Sequence, residues 1–230
     1  YLKRSDTSRQ DESTSRLKVN WQLTDNTKIK FLVSQVNLDD PADIWTIDGS
    51  LNTLSDRPGM DSQKTNSYGM KVFHSFNGFE LQSFTSSTNT DVVFSYDADW
   101  GNTDSHFPYV YDYFSETLRD RRSFNQEFRI VSESSDFSQD NFIEWVVGAN
   151  YLELKESNFK KDDGLYGDPT DPYGPYASAS SSTSRYKSSN ISVFGNLDYL
   201  LSASLKFSIG LRWEDWDAEY SDSLKESFNP

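Results

Sequence analysis

The segment 97–114 concentrates the side chains whose chemistry could serve a ligand. It opens with Asp97-Ala98-Asp99-Trp100-Gly101-Asn102-Thr103-Asp104, in which closely spaced oxygens could wrap a calcium ion. The register of a calcium-binding EF-hand fails at its third acidic position, and no glutamate closes the loop. The pattern therefore favours a solvated acidic loop over a calcium site.

Aromatic residues continue through the same segment and recur in a second Tyr- and Asp-rich stretch. Such rings could stack on a planar chelate or a sugar, or could simply cover a surface. Both interpretations stay open at the level of sequence. The candidate ligand contacts are Trp100, Tyr109, Tyr111, Tyr113 and Tyr173.

Little else in the chain suggests metal or bond-making chemistry. There is no cysteine, and the two histidines, His74 and His106, have no second histidine at ligand spacing. No nucleophile-elbow string is present. Lys and Arg number 22 against 36 Asp and Glu, a net charge of -14, so the basic footprint of a nucleic-acid binder is missing. We therefore expect no enzymatic activity, no cofactor, no metal and no nucleic-acid partner.

The elements that must position these residues show alternation with a period of two. In 16–23, for example, Leu17, Val19, Trp21 and Leu23 alternate with polar residues, and seven further stretches behave in the same way. Thr24-Asp25-Asn26-Thr27 and Asn77-Gly78 predict tight hairpin turns. Three long polar segments, 39–62, 89–122 and 156–185, are predicted to be loops by their composition. The sequence thus predicts eight antiparallel strands in an all-β fold.

The connections between these strands alternate between short and long. Bacterial outer-membrane barrels have short periplasmic turns and long extracellular loops, and each strand turns only alternate residues to lipid. Mean hydropathy is -0.74, and no apolar run reaches the roughly 20 residues that a spanning helix needs. Placing the short turns in the periplasm puts both chain ends outside the cell, so 1–13 and 217–230 are expected to be halves of severed loops. We therefore expect an up-and-down transmembrane barrel portion, with Lys18, Glu80, Glu127, Arg129 and Arg212 facing the lumen.

Several strings resemble the barrel of TonB-dependent outer-membrane receptors. The stretch 123–130, SFNQEFRI, is similar to a recurring Ser-x-x-Gln-Glu-x-Arg strand of that family. The following strand, 145–151 (WVVGANY), then Val193-Phe194-Gly195 and 210–214 (GLRWE), resemble its next strands in the same order. The loop string 54–59, LSDRPG, resembles the iron-complex receptor branch.

This resemblance implies that residues 1–230 are part of a barrel of about 22 strands closed around a plug domain. The plug, the energy-coupling box and the terminal aromatic strand of the family are absent from the sequence. The implied location is the outer membrane of a Gram-negative bacterium. The implied partners are outer-membrane lipid, the protein's own plug, the TonB complex and a scarce nutrient, with a ferric siderophore favoured as the substrate.

Two other classes of protein compete with this interpretation. One is a self-contained eight-stranded barrel that acts as an adhesin or structural protein. The other is a secreted β-sandwich that binds carbohydrate through its aromatic loops. A sandwich would use the apolar face of the strands as its core and would be monomeric in water.

Overall fold

A computed structural model of the protein describes residues 7–43, 45–133, 142–202 and 205–229. These residues form eight strands. Their bounds are β1 Glu12–Thr24, β2 Thr27–Pro41, β3 Met60–Phe76, β4 Phe79–Asp97, β5 Val110–Ser132, β6 Phe142–Gly167, β7 Tyr176–Ser202 and β8 Leu205–Asn229.

The strands make one antiparallel sheet in which every neighbour in the chain is also a neighbour in space, in the order β1 to β8. The all-β, up-and-down architecture predicted from the sequence is therefore confirmed. The sheet is open, with β1 and β8 as its two edges, and the described residues form no second layer and no helix. In these ranges there is accordingly no helical segment that could cross a membrane.

The two tight turns occur where the sequence predicts them. Residues 25–26 join β1 to β2, and Asn77-Gly78 joins β3 to β4. Gly78 has a φ of 90°, a left-handed conformation that glycine adopts without the steric cost of a Cβ. The other two short connections, including the predicted turn at 134–141, lie outside the described residues.

The strands are much longer than the alternation predicts, so three expectations are wrong. Most of 156–185 is strand, because β6 continues to Gly167 and β7 begins at Tyr176. Residues 217–229 belong to β8 rather than to a severed loop, and only 98–109 of the segment 89–122 connects strands. Polar composition misled the prediction because the backbone ladder pairs these residues continuously even where both faces carry polar side chains.

Alternation gives the sheet an apolar face and a polar face. Directly opposed residues share a face, so each cross-strand row can be followed across all eight strands. One row of the apolar face consists of Trp21, Ile29, Val72, Ser83, Phe128, Ala149, Val193 and Trp213. In β8 the apolar positions extend from Leu205 to Trp213, about 27 Å along the strand.

Toward the far ends of the strands the apolar band gives way to polar residues. One of the rows beyond it consists entirely of polar residues, namely Ser15, Gln35, Asn66, Asn89, Arg122, Lys155, Lys187 and Glu219. Aromatic rings border the band. Phe76 and Phe79 stack at 4.8 Å beside the β3–β4 turn, and Phe124 and Tyr151 meet at 6.3 Å on the opposite border.

No large apolar side chain in the described ranges is buried by protein. The band is exposed instead, with Leu211 at 77% and Trp213 at 59%. A contiguous apolar surface of this kind must be covered by something other than the described chain.

Polar side chains interrupt the band at β4 and β5. Thr85 Oγ1 donates to Gln126 Oε1 at 2.6 Å, and Gln126 Nε2 donates to Ser83 Oγ at 3.1 Å. These groups satisfy one another without water, which reduces the cost of placing them in an apolar medium.

Candidate functional site

The five residues predicted to face a lumen share the polar face of the sheet. Glu127 lies in the row that also contains Lys30 and Lys71, and Arg129 and Arg212 lie in the next row. Lys18 on β1 and Glu80 on β4 lie an even number of residues from the members of the Glu127 row on their strands, so they share the same face. Their common face follows from the register, whereas the lumen itself stays a prediction.

Cations and aromatic rings alternate along this face. The Arg129 guanidinium lies 5.2 Å from the Phe84 ring centre and 5.8 Å from that of Phe194, and the Arg212 guanidinium lies 5.6 Å from the same Phe194 ring centre. Lys71 approaches Phe84 at 5.3 Å. Each such contact contributes about 0.5–1 kcal/mol at an exposed site, so the ladder orders these side chains across five strands.

A glycine in β6 makes room for the ladder. A Cβ on Gly148 would lie 2.5 Å from Phe194 Cζ and 2.8 Å from the Phe128 carbonyl oxygen. The Phe194 ring therefore crosses β6 only because residue 148 has no side chain. This packing positions the ring beside Arg129.

Carboxylates neutralise the two arginines of the ladder within single strands. Arg129 Nε donates to Glu127, and Arg212 Nε donates to Glu214, in each case two residues away on the same strand. Asn150 Nδ2 also donates to Glu127, at 3.4 Å. This part of the polar face is thus a balanced network of charges.

At the other end of the strands, the β2–β3 loop (42–59) and the β4–β5 loop (98–109) are tied together. Asp56 N donates to the Gly101 carbonyl oxygen at 3.0 Å, and Asn102 Nδ2 donates to the Leu54 carbonyl oxygen at 3.0 Å. The Trp45 and Trp100 rings stack at 5.9 Å. Two segments that are distant in sequence therefore form one cluster.

Arg57 fastens this loop cluster to the sheet. Its guanidinium donates to Asp112 at 3.2 Å on β5 and to Asp163 at 2.7 Å on β6, and it lies 4.6 Å from the Phe114 ring centre. Hydrogen bonding to both carboxylates opposes the effect of burial and raises the pKa of Arg57. The guanidinium stays charged in either case, so its positive charge in this contact does not depend on pH.

The acidic stretch 97–104 turns its carboxylates onto the backbone. Asp99 accepts from Gly101 N at 2.9 Å and Tyr113 N at 2.7 Å, and Asp97 accepts from Asp56 N at 3.2 Å. Burial raises the pKa of Asp99 to about 6, and the neighbouring Asp97 carboxylate adds to that rise, although both amide donors oppose it. These carboxylates hold the loops, which accounts for their burial without a metal.

We predict that the loop cluster becomes more stable as pH falls through about 6. The folded-state pKa of Asp99 lies above the ordinary value of 3.8, so the folded loops bind a proton that the unfolded chain does not. That stability is fully present below about 3.8 and is lost above about 6. Amide hydrogen exchange at Gly101 and Tyr113, corrected for intrinsic rates, measures it. Asp99→Asn should weaken the dependence and leave the part due to Asp56, whose pKa burial also raises, whereas Asp104→Asn in the same loop should leave the whole dependence. Protection that rose with pH would refute the assignment.

The structure brings Tyr111 and Tyr113 together and places the other three predicted ligand contacts in two loops. Trp100 is in the β4–β5 loop against Trp45, whereas Tyr111 and Tyr113 belong to β5, with ring centres 4.6 Å apart. Tyr109 ends the β4–β5 loop, and Tyr173 lies in the β6–β7 loop (168–175) with 82% of its surface exposed. The expectation that all five belong to loops is therefore wrong for Tyr111 and Tyr113.

Residues that the sequence did not single out complete a groove beside Trp100. Its cavity volume is about 660 Å³, and Trp45, Phe94, Tyr96 and Arg9 contribute to its walls. Trp45 lies in a polar segment without periodicity, so its spacing gave no signal that it pairs with Trp100.

Across the described ranges, no group of three or more His, Asp or Glu side chains is arranged to hold a metal ion. Comparison of the chain with protein-family models and with curated proteins finds no match in either case.

Proposed function

We propose that this chain is part of an outer-membrane active transporter that takes up a scarce nutrient, a ferric siderophore, by TonB-coupled transport. The observation that carries the proposal is the apolar band on one face of a single sheet. The band is about nine residues tall in β8, which is the length that a tilted strand needs to cross a bilayer.

The shape of the band supports lipid as its covering. Aromatic rings border it, and a row composed only of polar residues lies beyond it, as at a membrane–water interface. A protein partner would not require aromatic rings at both borders of the band. Outer-membrane lipid is therefore the partner we assign to this face.

The edges of the sheet support a larger barrel. β8 has 25 residues, and its outer ladder groups are unpaired in the described chain, as are those of β1. Long open edges invite aggregation unless further strands cover them. In the proposed barrel of about 22 strands, other strands pair with both edges, and the polar face lines the lumen that holds the plug domain and that the substrate crosses.

The two alternative functions have less support. A self-contained eight-stranded barrel requires β1 to pair with β8, and these strands do not pair. A secreted β-sandwich requires a second sheet over the apolar face, and the described residues supply none. The chemistry that we assign is binding and translocation rather than bond-making.

Uptake measurements in the bacterium that encodes the chain test this function. Deleting the gene should remove energy-dependent uptake of at least one radioactively labelled ferric siderophore, and a protonophore should inhibit the same uptake in the parent strain. The protein should fractionate with the outer membrane. Recovery of the protein in a water-soluble fraction, or uptake unchanged for every ferric chelate tested, would contradict the proposal.

A further inference from the structure

The polar face carries an uneven distribution of paired and unpaired cations. On β5 to β8 every described cation of this face has a carboxylate within 4 Å, and these cations are Arg119, Arg121, Arg129, Lys160, Lys206 and Arg212. On β1 to β3 five cations of the same face have no such partner among the described residues. We call these five, Arg16, Lys18, Lys28, Lys30 and Lys71, the basic stripe.

The members of the basic stripe lie close together. Lys30 and Lys71 are directly opposed across β2 and β3, which places their Cβ atoms about 5 Å apart, and Lys18 is a diagonal neighbour of Lys30 at about 7–8 Å. Directly opposed like charges destabilise a sheet. The carboxylates of this face on the same strands, Glu12, Asp40 and Asp61, lie toward the opposite strand ends. The whole chain has a net charge of -14, so this cluster of positive charge is a local exception, and a bound anion would relieve its repulsion.

Three residues of the basic stripe line a groove that has the size of a small-molecule site. Its cavity volume is about 830 Å³, within the range of about 300–1,000 Å³ that such sites occupy. Lys18, Lys30 and Lys71 line it together with Phe73 and Phe84, and the ion pair of Arg129 with Glu127 lines its β5 side. Lys30 lies 5.2 Å from the Phe73 ring centre and Lys71 lies 5.3 Å from that of Phe84, so two of the ammonium groups are held by rings before a ligand arrives.

We propose that the basic stripe binds an anionic small molecule, and that the transported substrate is therefore an anionic rather than a neutral chelate. A groove of this volume favours a small molecule over an acidic protein segment, for which a charged surface without a groove would be enough. This inference rests on the proposed transport function for its biological meaning. The binding site itself requires only the polar face of β1 to β3.

Binding of two probes by the whole chain, folded in zwitterionic detergent, tests the inference. The first probe is a ferric tris-catecholate, which is an anion, and the second is a ferric trihydroxamate, which is neutral. Quenching of tryptophan fluorescence should show binding of the first only. Inorganic pyrophosphate should compete for the site, and added salt should weaken binding because it screens exposed charges.

Paired variants give the test its specificity. Replacing both Lys30 and Lys71 with glutamine should weaken binding of the anionic chelate about tenfold, since two exposed charge contacts are lost. Lys64→Gln with Lys225→Gln removes the same charge from the apolar-face side and should change affinity less than about twofold. Circular dichroism checks that both double variants retain their strand content. Gly69→Leu, which fills the floor of the groove without changing charge, should also weaken binding.

Four results would overturn the inference. They are equal affinity for the neutral chelate, no effect of the Lys30 and Lys71 substitutions, equal effects of the two double variants, and tighter binding of a glutamate hexapeptide than of the chelate, which would assign the stripe to an acidic protein segment. Membrane insertion without anion binding would overturn this inference alone. Anion binding by a chain that does not insert would support the inference and overturn the proposed transport function.

Discussion

Val147→Arg is expected to destabilise the bilayer-inserted protein by about 2–4 kcal/mol, the cost of placing arginine on the lipid face near the middle of a membrane. Val147 is the central member of the apolar positions of β6, between Trp145 and Ala149, and 45% of its surface is exposed. Within the band, the described residues beside Val147 include no carboxylate that could pair with the new arginine. Urea unfolding in lipid vesicles, followed by tryptophan fluorescence, measures the loss.

Val146→Arg is the matched control for this substitution. It makes the same change one residue away on the opposite face, where Glu144 and Asp198 line a shared cavity with Val146. We expect a change of less than about 0.5 kcal/mol, as for an ordinary surface substitution. Equal destabilisation by the two variants would contradict the assignment of the faces.

Gly148→Ala is the second substitution with a large expected effect, about 2–3 kcal/mol of destabilisation from overpacking. The added Cβ would lie 2.5 Å from Phe194 Cζ and 2.8 Å from the Phe128 carbonyl oxygen, and the second of these contacts cannot be relieved by a rotamer change. A displaced Phe194 ring would also remove the aromatic ring that both Arg129 and Arg212 contact. Urea unfolding under the same conditions measures the change.

Gly195→Ala controls for the general effect of adding a methyl group to a strand glycine. Its Cβ would meet the Val146 carbonyl oxygen and Val147 Cγ1 at 3.5 Å, which is ordinary van der Waals contact. We expect a change of less than about 0.5 kcal/mol in this case. In a Phe194→Ala background the cost of Gly148→Ala should shrink but not vanish, because the Phe128 carbonyl contact remains. An unchanged cost in that background would refute the role given to the ring.

The existence and order of the strands could be predicted because one face is apolar. In β8 the alternation of Leu205, Phe207, Ile209, Leu211 and Trp213 with polar residues marks a strand clearly. The same strand continues to Asn229, but beyond Trp213 its large apolar residues, Trp216, Tyr220, Leu224 and Phe228, lie on the opposite face. The alternation therefore changes face at the end of the band, which predicts the end of a strand there although the backbone ladder continues.

The candidate site was predictable only in part. Parity along single strands predicts that Glu127 and Arg129 share a face, and the register of the sheet agrees. Parity does not reveal that Phe194 crosses β6 at Gly148, nor that Trp45 stacks on Trp100, because those contacts join different strands or loops. The unpaired state of Lys30 and Lys71 likewise became visible only when their neighbours on three strands were known.

Spin labelling along β6 tests the central claim of a sheet with one face in lipid and the other in water. The chain contains no cysteine, so single cysteines at positions 143 to 151, and separately at 127 and 129, can each carry one nitroxide. In vesicles of outer-membrane lipid, the odd positions of β6 should be accessible to oxygen, and the even positions, with 127 and 129, to a water-soluble nickel complex. Absence of this period of two, or oxygen access at 127 or 129 matching that at 147, would contradict the account.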